Sequence, residues 1–226
     1  MLILAIDTST SILSLALVSD EQTLAVVNEN TKHNQSEILM SRIESMMNEC
    51  NLKPTDLEKI AVAVGPGSYT GIRVGVAAAK SLGYALQIPV VAVSSLEVMA
   101  MAAVFYDIRI PMINARRDTV FSGVYDYDGT VIIPDGHYKM ANLIDELILN
   151  VFSFDIVTFI GDGATLHKEF LLEKWPEAQV VSESEFKSNK AEVLATLAVS
   201  RLPEENIHTL VPNYLRKTEA QMNAGV

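Results

Sequence analysis

Val64-Gly65-Pro66-Gly67-Ser68-Tyr69-Thr70-Gly71-Ile72-Arg73-Val74-Gly75 is the stretch whose reading decides the fold. It follows the apolar run Ile60 to Val64, which reads as a buried strand, and leads into a small-residue apolar segment ending near Leu86, which reads as a helix. The stretch is therefore a strand-to-helix turn. Pro66 fixes φ, Gly65 and Gly67 permit close backbone approach, and Ser68 or Thr70 can cap the helix. Such a turn can present backbone N–H groups to an anion. The same spacing also fits a tight turn before a packed helix.

Along that helix Gly71, Gly75, Ala79 and Gly83 recur every fourth residue, making one small-residue stripe. Each glycine costs up to about 1 kcal/mol of helix propensity relative to alanine, so a close neighbour must offset the loss. Two neighbours fit: the protein's own sheet, or a second helix from another chain.

Toward the N-terminus, Leu2 to Ile6 reads as a central strand ending in the polar turn Asp7-Thr8-Ser9-Thr10. Ile12 to Val18 and Thr23 to Asn28 are two more strands around a turn at Asp20. Asn34-Gln35-Ser36-Glu37 has capping-box spacing and starts a helix whose apolar face is Ile38, Leu39, Ile43, Met46, Met47 and Cys50. Beyond the opening stretch, Val90 to Val93 is a strand, and Ser94-Ser95-Leu96-Glu97 caps a helix running to about Tyr106, with Glu97 as cap partner.

From Ile108 the order repeats. Pro111 to Arg116 echoes Leu4 to Ser9, Thr119 to Tyr125 echoes Ile12 to Val18, and Asp126-Tyr127-Asp128-Gly129 echoes the turn at Asp20. Val131 to Ile133, a helix from Ala141 to Val151, and the strand Ile156 to Ile160 running into Gly161-Asp162-Gly163-Ala164 complete the second copy. Helices over Ala164–Trp175 and Ala191–Arg201 follow. The economical inference is an α/β protein of two ribonuclease-H-like lobes, 1–105 and 106–226, each a βββαβα unit, the last segment being able to pack back on the first lobe.

The 226 residues carry a formal charge of −11, which argues against a protein that grips nucleic acid by itself. Arg116-Arg117 and Arg216-Lys217 are the adjacent basic pairs, and both read as local ion-pair formers. The single Cys50 leaves no intrachain disulfide and no cysteine-rich zinc site. Lacking an uncharged span of about 18 residues, the sequence is expected to be soluble and cytoplasmic, with no membrane partner.

Asp7-Thr8-Ser9, Gly65 to Arg73, Asn114-Ala115-Arg116-Arg117 and Pro212-Asn213-Tyr214-Leu215-Arg216 together resemble the TsaB (formerly YeaZ) family, bacterial tRNA threonylcarbamoyladenosine biosynthesis proteins. The resemblance spans most of the chain and implies the two-lobed fold of Hsp70, actin and sugar kinases, in agreement with the duplication. In that superfamily ATP lies between the lobes, with an acid in each phosphate-side turn. Carried onto this sequence, the cofactor-side positions are Asp7, Thr8, Ser9, Gly65, Gly67 and Ser68. The second turn, Asn114 to Arg117, has no carboxylate, and Mg²⁺ requires anionic oxygens. No tightly bound cofactor is expected, only weak ATP or ADP at a partner interface.

TsaD, the catalytic paralogue, carries a His-x-x-x-His metal pair on the helix that here begins at Ser94, which puts Ser95 and Met99 at the ligand positions. Neither replaces an imidazole. His33, His137, His167 and His208 form no i, i+4 pair. No catalytic residue and no metal site are therefore expected.

The resemblance also implies pairing with TsaD through the helices starting near Asn34 and Thr70. The contact positions would be Ile38, Leu39, Arg42, Met46, Tyr69, Ile72, Arg73, Gly75, Val76, Ala79 and Gly83. On that expectation Gly75→Leu or Ala79→Leu breaks the pairing and leaves the monomer folded. A homodimer would form in the partner's absence. The ATPase TsaE would complete the complex, which modifies N6 of adenosine 37 and through which alone tRNA is met. The expected function is thus a non-catalytic scaffold and activator. The competing reading, an ATP-dependent phosphotransferase or ATPase of the actin-like superfamily, rests on Asp7 and the two glycine turns and lacks the second acid.

Overall fold

The computed structural model describes residues 1–20, 22–31, 34–103, 107–150, 156–186 and 188–215. The expected lobe boundary at residue 105, helix ends at Tyr106 and Val151, and the Arg216-Lys217 pair lie outside the described residues.

The first half runs β1 (Leu2–Asp7), β2 (Ile12–Ser19), β3 (Gln22–Asn30), α1 (Gln35–Glu49), β4 (Lys59–Ala63), α2 (Tyr69–Leu86), β5 (Val90–Val93) and α3 (Ser95–Ala102). The second runs β6 (Ile108–Asn114), β7 (Thr119–Asp126), β8 (Val131–Lys139), α4 (Met140–Asn150), β9 (Val157–Ile160), α5 (Asp162–Leu166), α6 (Lys168–Lys174), β10 (Gln179–Val181) and α7 (Lys190–Ser200). The sheets are ordered β3-β2-β1-β4-β5 and β10-β9-β6-β7-β8, the same mixed arrangement twice. In each, the first strand pairs antiparallel with the second, as in Ile3↔Val18 and Ile113↔Phe121, and parallel with the fourth, as in Ile6↔Val62 and Ile110↔Phe159. β1, covered on both faces, is buried at every position, which is why its sequence is a continuous apolar run. The strand-to-helix glycines correspond as well: Gly65 and Gly161 have φ of +108° and +103°.

The small-residue stripe of α2 faces the protein's own sheet. Thr8 Oγ1 donates to Gly71 O at 2.7 Å, and a Cβ on Gly75 would run into that same Thr8 Oγ1. A Cβ on Gly83 would strike Val90. This corrects the expected partner contacts: Leu39, Met46, Ile72, Gly75, Val76, Ala79 and Gly83 are all buried inside the lobe. Here the stripe brings a helix backbone close to β1 and its turn.

α7 covers the opposite face of the first sheet. Ala191, Leu194, Ala195 and Ala198 pack on Ile3, Ala5, Ala16, Val18, Ala61, Ala63 and Val91, small residues meeting small residues. Lys59 Nζ donates to Ala198 O and Val199 O at 2.9 and 3.3 Å, satisfying carbonyls at the end of α7. Residues 190–200 thus complete the layer structure of the first sheet, while the second sheet is covered by α4, α5 and α6 through Leu143, Ile144, Leu147, Ala164 and Leu171. Between the lobes lies α3. Its Leu96, Met99, Ala100 and Ala103 side packs on Ile113, Tyr125 and Ile160, and its Val98 joins the core under α7.

Local expectations differ from the structure in four places. Asn34 precedes α1, but its side chain makes no capping bond. Ser94 Oγ does cap α3, accepting from the Leu96 and Glu97 amides, whereas the Glu97 carboxylate pairs with Arg201 at the end of α7 instead of closing a capping box. The helix expected over Ala164–Trp175 is two short helices separated at His167, whose φ of −106° ends the first. β10, three residues long, is too short to leave a periodic signal.

Because Gly75 has no room for a methyl group, Gly75→Ala is expected to destabilise the isolated chain by roughly 1–3 kcal/mol in urea denaturation, and Gly75→Leu to prevent folding. Unchanged stability would mean that α2 can lift off β1.

Candidate functional site

The turn after β1, the Gly65–Ser68 loop and the start of α2 form one wall of an open cleft of about 1290 Å³. Asn114 to Arg116, Asp162, Thr165, Ser182 and Glu183 form the other, and Asn213 to Leu215 run along its rim. Asn213 N donates to Val64 O at 2.7 Å, and Tyr214 stacks on Tyr69 with ring centroids 5.3 Å apart. The return of residues 213–215 to this loop is thus built from one main-chain bond and one ring contact.

Three amides of the loop and helix start serve the protein itself. Gly65 N donates to Ser95 Oγ at 3.0 Å, Ser68 N to Ser9 O at 2.7 Å, and Gly71 N to Ser68 Oγ at 3.2 Å. Of the two readings of the loop, tight turn or anion cradle, these bonds support the turn. Asp7, Thr8 and Ser9 are fully buried. Asp7 Oδ1 accepts from the Ser9 amide and hydroxyl at 2.8 and 2.6 Å. Ser9, Gly67 and Ser68 border the cleft, while the Asp7 carboxylate lies beneath it, beside the Lys190 ammonium at 3.4 Å.

Lys190 opens α7 and is only 3% exposed. Its Nζ is 3.4 Å from Glu183 and donates to Thr10 Oγ1 at 2.9 Å, while Thr10 donates to the other Glu183 oxygen at 3.0 Å. Burial alone would lower the lysine's pKa, but Asp7 and Glu183 outweigh it, and the ammonium is held above its ordinary 10.5. Asn189 seats this end of α7: it caps Ala191 N, accepts from Ser14 Oγ at 2.8 Å and donates to Val27 O at 3.3 Å.

Across the cleft, Arg116, Arg117 and Asp118 have φ of 65°, 52° and 55°, a left-handed run that tightens the β6–β7 connection. Arg116 lines the cleft from it. Asp162 supplies a carboxylate close to this turn, but its Oδ1 accepts from Asn114 N at 3.0 Å. Ser95 and Met99, the positions aligned with the paralogue's metal pair, are fully buried: Ser95 holds the Gly65 amide, and Met99 belongs to the apolar layer between the lobes.

A second polar cluster joins the lobes behind α3. Tyr125 OH and Ser94 Oγ both donate to Asp135, one to each carboxylate oxygen. Burial raises the Asp135 pKa against the opposing effect of these two bonds. Tyr125 is raised too, by burial first and by the Asp135 charge second.

Four of the expected partner positions remain accessible. Ile38 and Arg42 are half-buried, with Arg42 Nε 3.0 Å from Glu29, and Tyr69 and Arg73 are exposed, with the guanidinium 5.2 Å from the Tyr69 ring centre. The outward faces also carry residues that sequence reasoning did not select: Met40 on α1 and Ala77 and Tyr84 on α2. Sequence reasoning also passed over Lys190, Glu183 and Asp135. The Asn189–Glu192 capping box could have located the start of α7, but nothing local says that Lys190 faces Asp7.

Two lobes of identical sheet order with a cleft between them define the class by fold, a two-lobed α/β protein with the frame of a sugar kinase. A ROK hexokinase from Thermus thermophilus shares this frame at a TM-score of 0.52 and 13% identity, covering 89% of this chain and 100% of that one. YeaZ from Pseudomonas aeruginosa superposes at a TM-score of 0.77 and 24% identity, over 95% of this chain and 99% of its own. The family model of TsaD, tRNA N6-adenosine threonylcarbamoyltransferase, matches residues 12–224. The tRNA threonylcarbamoyladenosine biosynthesis protein TsaB of Bacillus subtilis (strain 168) is 36% identical over 98% of this chain and 96% of its own length. The chain belongs to the TsaB family, within this TsaD-type group.

The raised Asp135 pKa has a definite sign. A carboxyl that binds its proton more tightly when folded contributes stability that is complete below its unfolded value of 3.8 and lost as pH rises through the folded value. Asp135→Asn removes that titration while leaving an acceptor for Tyr125 and a donor for Ser94. The unfolding free energy of the variant relative to wild type is expected to rise from pH 4 toward neutrality; a pH-independent difference would refute the assignment.

Proposed function

We propose that this protein is a non-catalytic scaffold and activator subunit in the synthesis of N6-threonylcarbamoyladenosine at position 37 of tRNA. In this reading it binds a TsaD-type catalytic protein, works with the ATPase TsaE, and meets tRNA only through that complex in the cytoplasm. It pairs with a second copy of itself when the partner is absent. Full-length similarity to a TsaB supports the pathway. The non-catalytic role is supported by a single observation above others: the position beneath the cleft where Asp7 would manage a ligand's charge is occupied by the protein's own Lys190. The same observation weighs against the phosphotransferase reading. Weak ATP or ADP binding, if it accompanies the complex, belongs at the partner interface in this reading.

The docking face consists of the outward sides of α1 and α2. Met40, Tyr69 and Tyr84 are each at least half exposed, and Ala77 leaves a shallow step between them. Ile38, Arg42 and Arg73 border that face. Exposed methionine and tyrosine beside arginine suit a partner surface, because adaptable and amphipathic side chains bury large area at modest entropic cost.

Depletion of the protein is expected to remove threonylcarbamoyladenosine from bulk tRNA by mass spectrometry, and the purified chain alone to make none; unchanged nucleoside levels would sink the proposal. Met40→Arg with Ala77→Arg should reduce co-purification with the TsaD-type protein by at least tenfold without changing the melting temperature, about 1.4 kcal/mol of binding. Undiminished pairing would place the interface elsewhere.

A further inference from the structure

Two carboxylates converge beneath the cleft from segments far apart in sequence. Asp7, at the end of β1, is completely enclosed; its Oδ1 is engaged by Ser9, and its Oδ2 receives no hydrogen bond. Glu183, just after β10, has a side chain only 13% exposed. Thr10 adds a hydroxyl oxygen between them. Two ionised carboxylates in so little water need a compensating charge, because an uncompensated buried charge is strongly destabilising.

That charge is the Lys190 ammonium. It lies 3.4 Å from an oxygen of each carboxylate, donating a long bond to Glu183 Oε1 at that distance and a shorter one to Thr10 Oγ1 at 2.9 Å, while Asp7 Oδ2 receives none. It therefore serves both acids at once, as a compact charge set between them. Three hard oxygen donors from two segments around one positive centre, one of them without a donor of its own, are also what an alkaline-earth ion selects.

We propose that Asp7, Glu183 and Thr10 form a cation site that the chain keeps filled with its own lysine. The occupied site leaves no room for a divalent ion, so a ligand carried through metal-bridged phosphates is refused at this point of the cleft. The same ammonium fastens β1 and its turn to the segment between β10 and α7, so the site also ties the two sheets together.

The test uses the full chain with Ca²⁺ as probe. Wild type should show no saturable Ca²⁺ binding by calorimetry and no change in melting temperature between EDTA and about 5 mM Ca²⁺, a concentration that saturates weak oxygen sites. Lys190→Ala should melt lower in EDTA, bind one Ca²⁺ per chain, and recover by ~3 °C or more when Ca²⁺ exceeds the dissociation constant tenfold. Combining Lys190→Ala with Asp7→Asn should abolish the binding. The proposal is overturned if Lys190→Ala binds no more Ca²⁺ than wild type, or if the double variant binds as well as the single one. Should Lys190→Ala not fold in EDTA, refolding with Ca²⁺ decides: recovery supports the site. No recovery, while a variant with Lys190→Ala, Asp7→Asn and Glu183→Gln folds, overturns it.

Discussion

Everything in the first lobe follows from how closely α2 lies on β1 and its turn. Thr8 occupies the space that side chains at positions 71 and 75 would need, and its hydroxyl bonds to the Gly71 carbonyl. With the helix backbone fixed at that distance, the Gly65–Ser68 loop is drawn onto Ser9 and its Gly65 and Ser68 amides are used within the protein. The glycine cost in helix propensity is offset by this packing rather than by a partner. The opposite side of α2 is left to solvent, where Tyr69, Arg73, Ala77 and Tyr84 face outward.

Chain order and spatial order part company at α7. The helix comes after the second sheet in sequence but covers the first, packing alanine against alanine over β1 and β4 while Lys59 satisfies its last carbonyls. Its first residue, Lys190, then lies under the cleft beside Asp7. α3 works from the other side: one face touches α7, the other packs on β6 and β7, and its cap, Ser94, is bonded to Asp135 of the second lobe. The lobes are therefore joined by an apolar layer and by two polar clusters, one beneath the cleft and one behind it.

The duplication was legible in the sequence because each strand-to-turn junction leaves a local mark: an apolar run, then Asp7-Thr8-Ser9 or Asn114-Ala115-Arg116, and later a glycine turn. A capping residue, Ser94, placed the start of α3, since a cap is a bond between near neighbours. The helix face was harder to read. The spacing of Gly71, Gly75, Ala79 and Gly83 shows that one side of α2 must lie close to something, and spacing carries no information about which backbone that is. Met40 and Ala77 escaped notice for the complementary reason: exposure depends on what the other side of the helix buries.

By itself the sequence determined two repeated lobes, the strand-to-helix turns that generate them, and membership of a family, because these rest on interactions between residues close together in the chain or on motifs of several adjacent residues. Only the tertiary structure decided that the glycine stripe faces inward, that the last helix completes the first sheet, and that Lys190 meets Asp7 and Glu183. Those facts depend on contacts between residues far apart in the chain, such as Thr8 with Gly71, Lys59 with Ala198 and Lys190 with Thr10, and no local pattern encodes which buried charge will meet which.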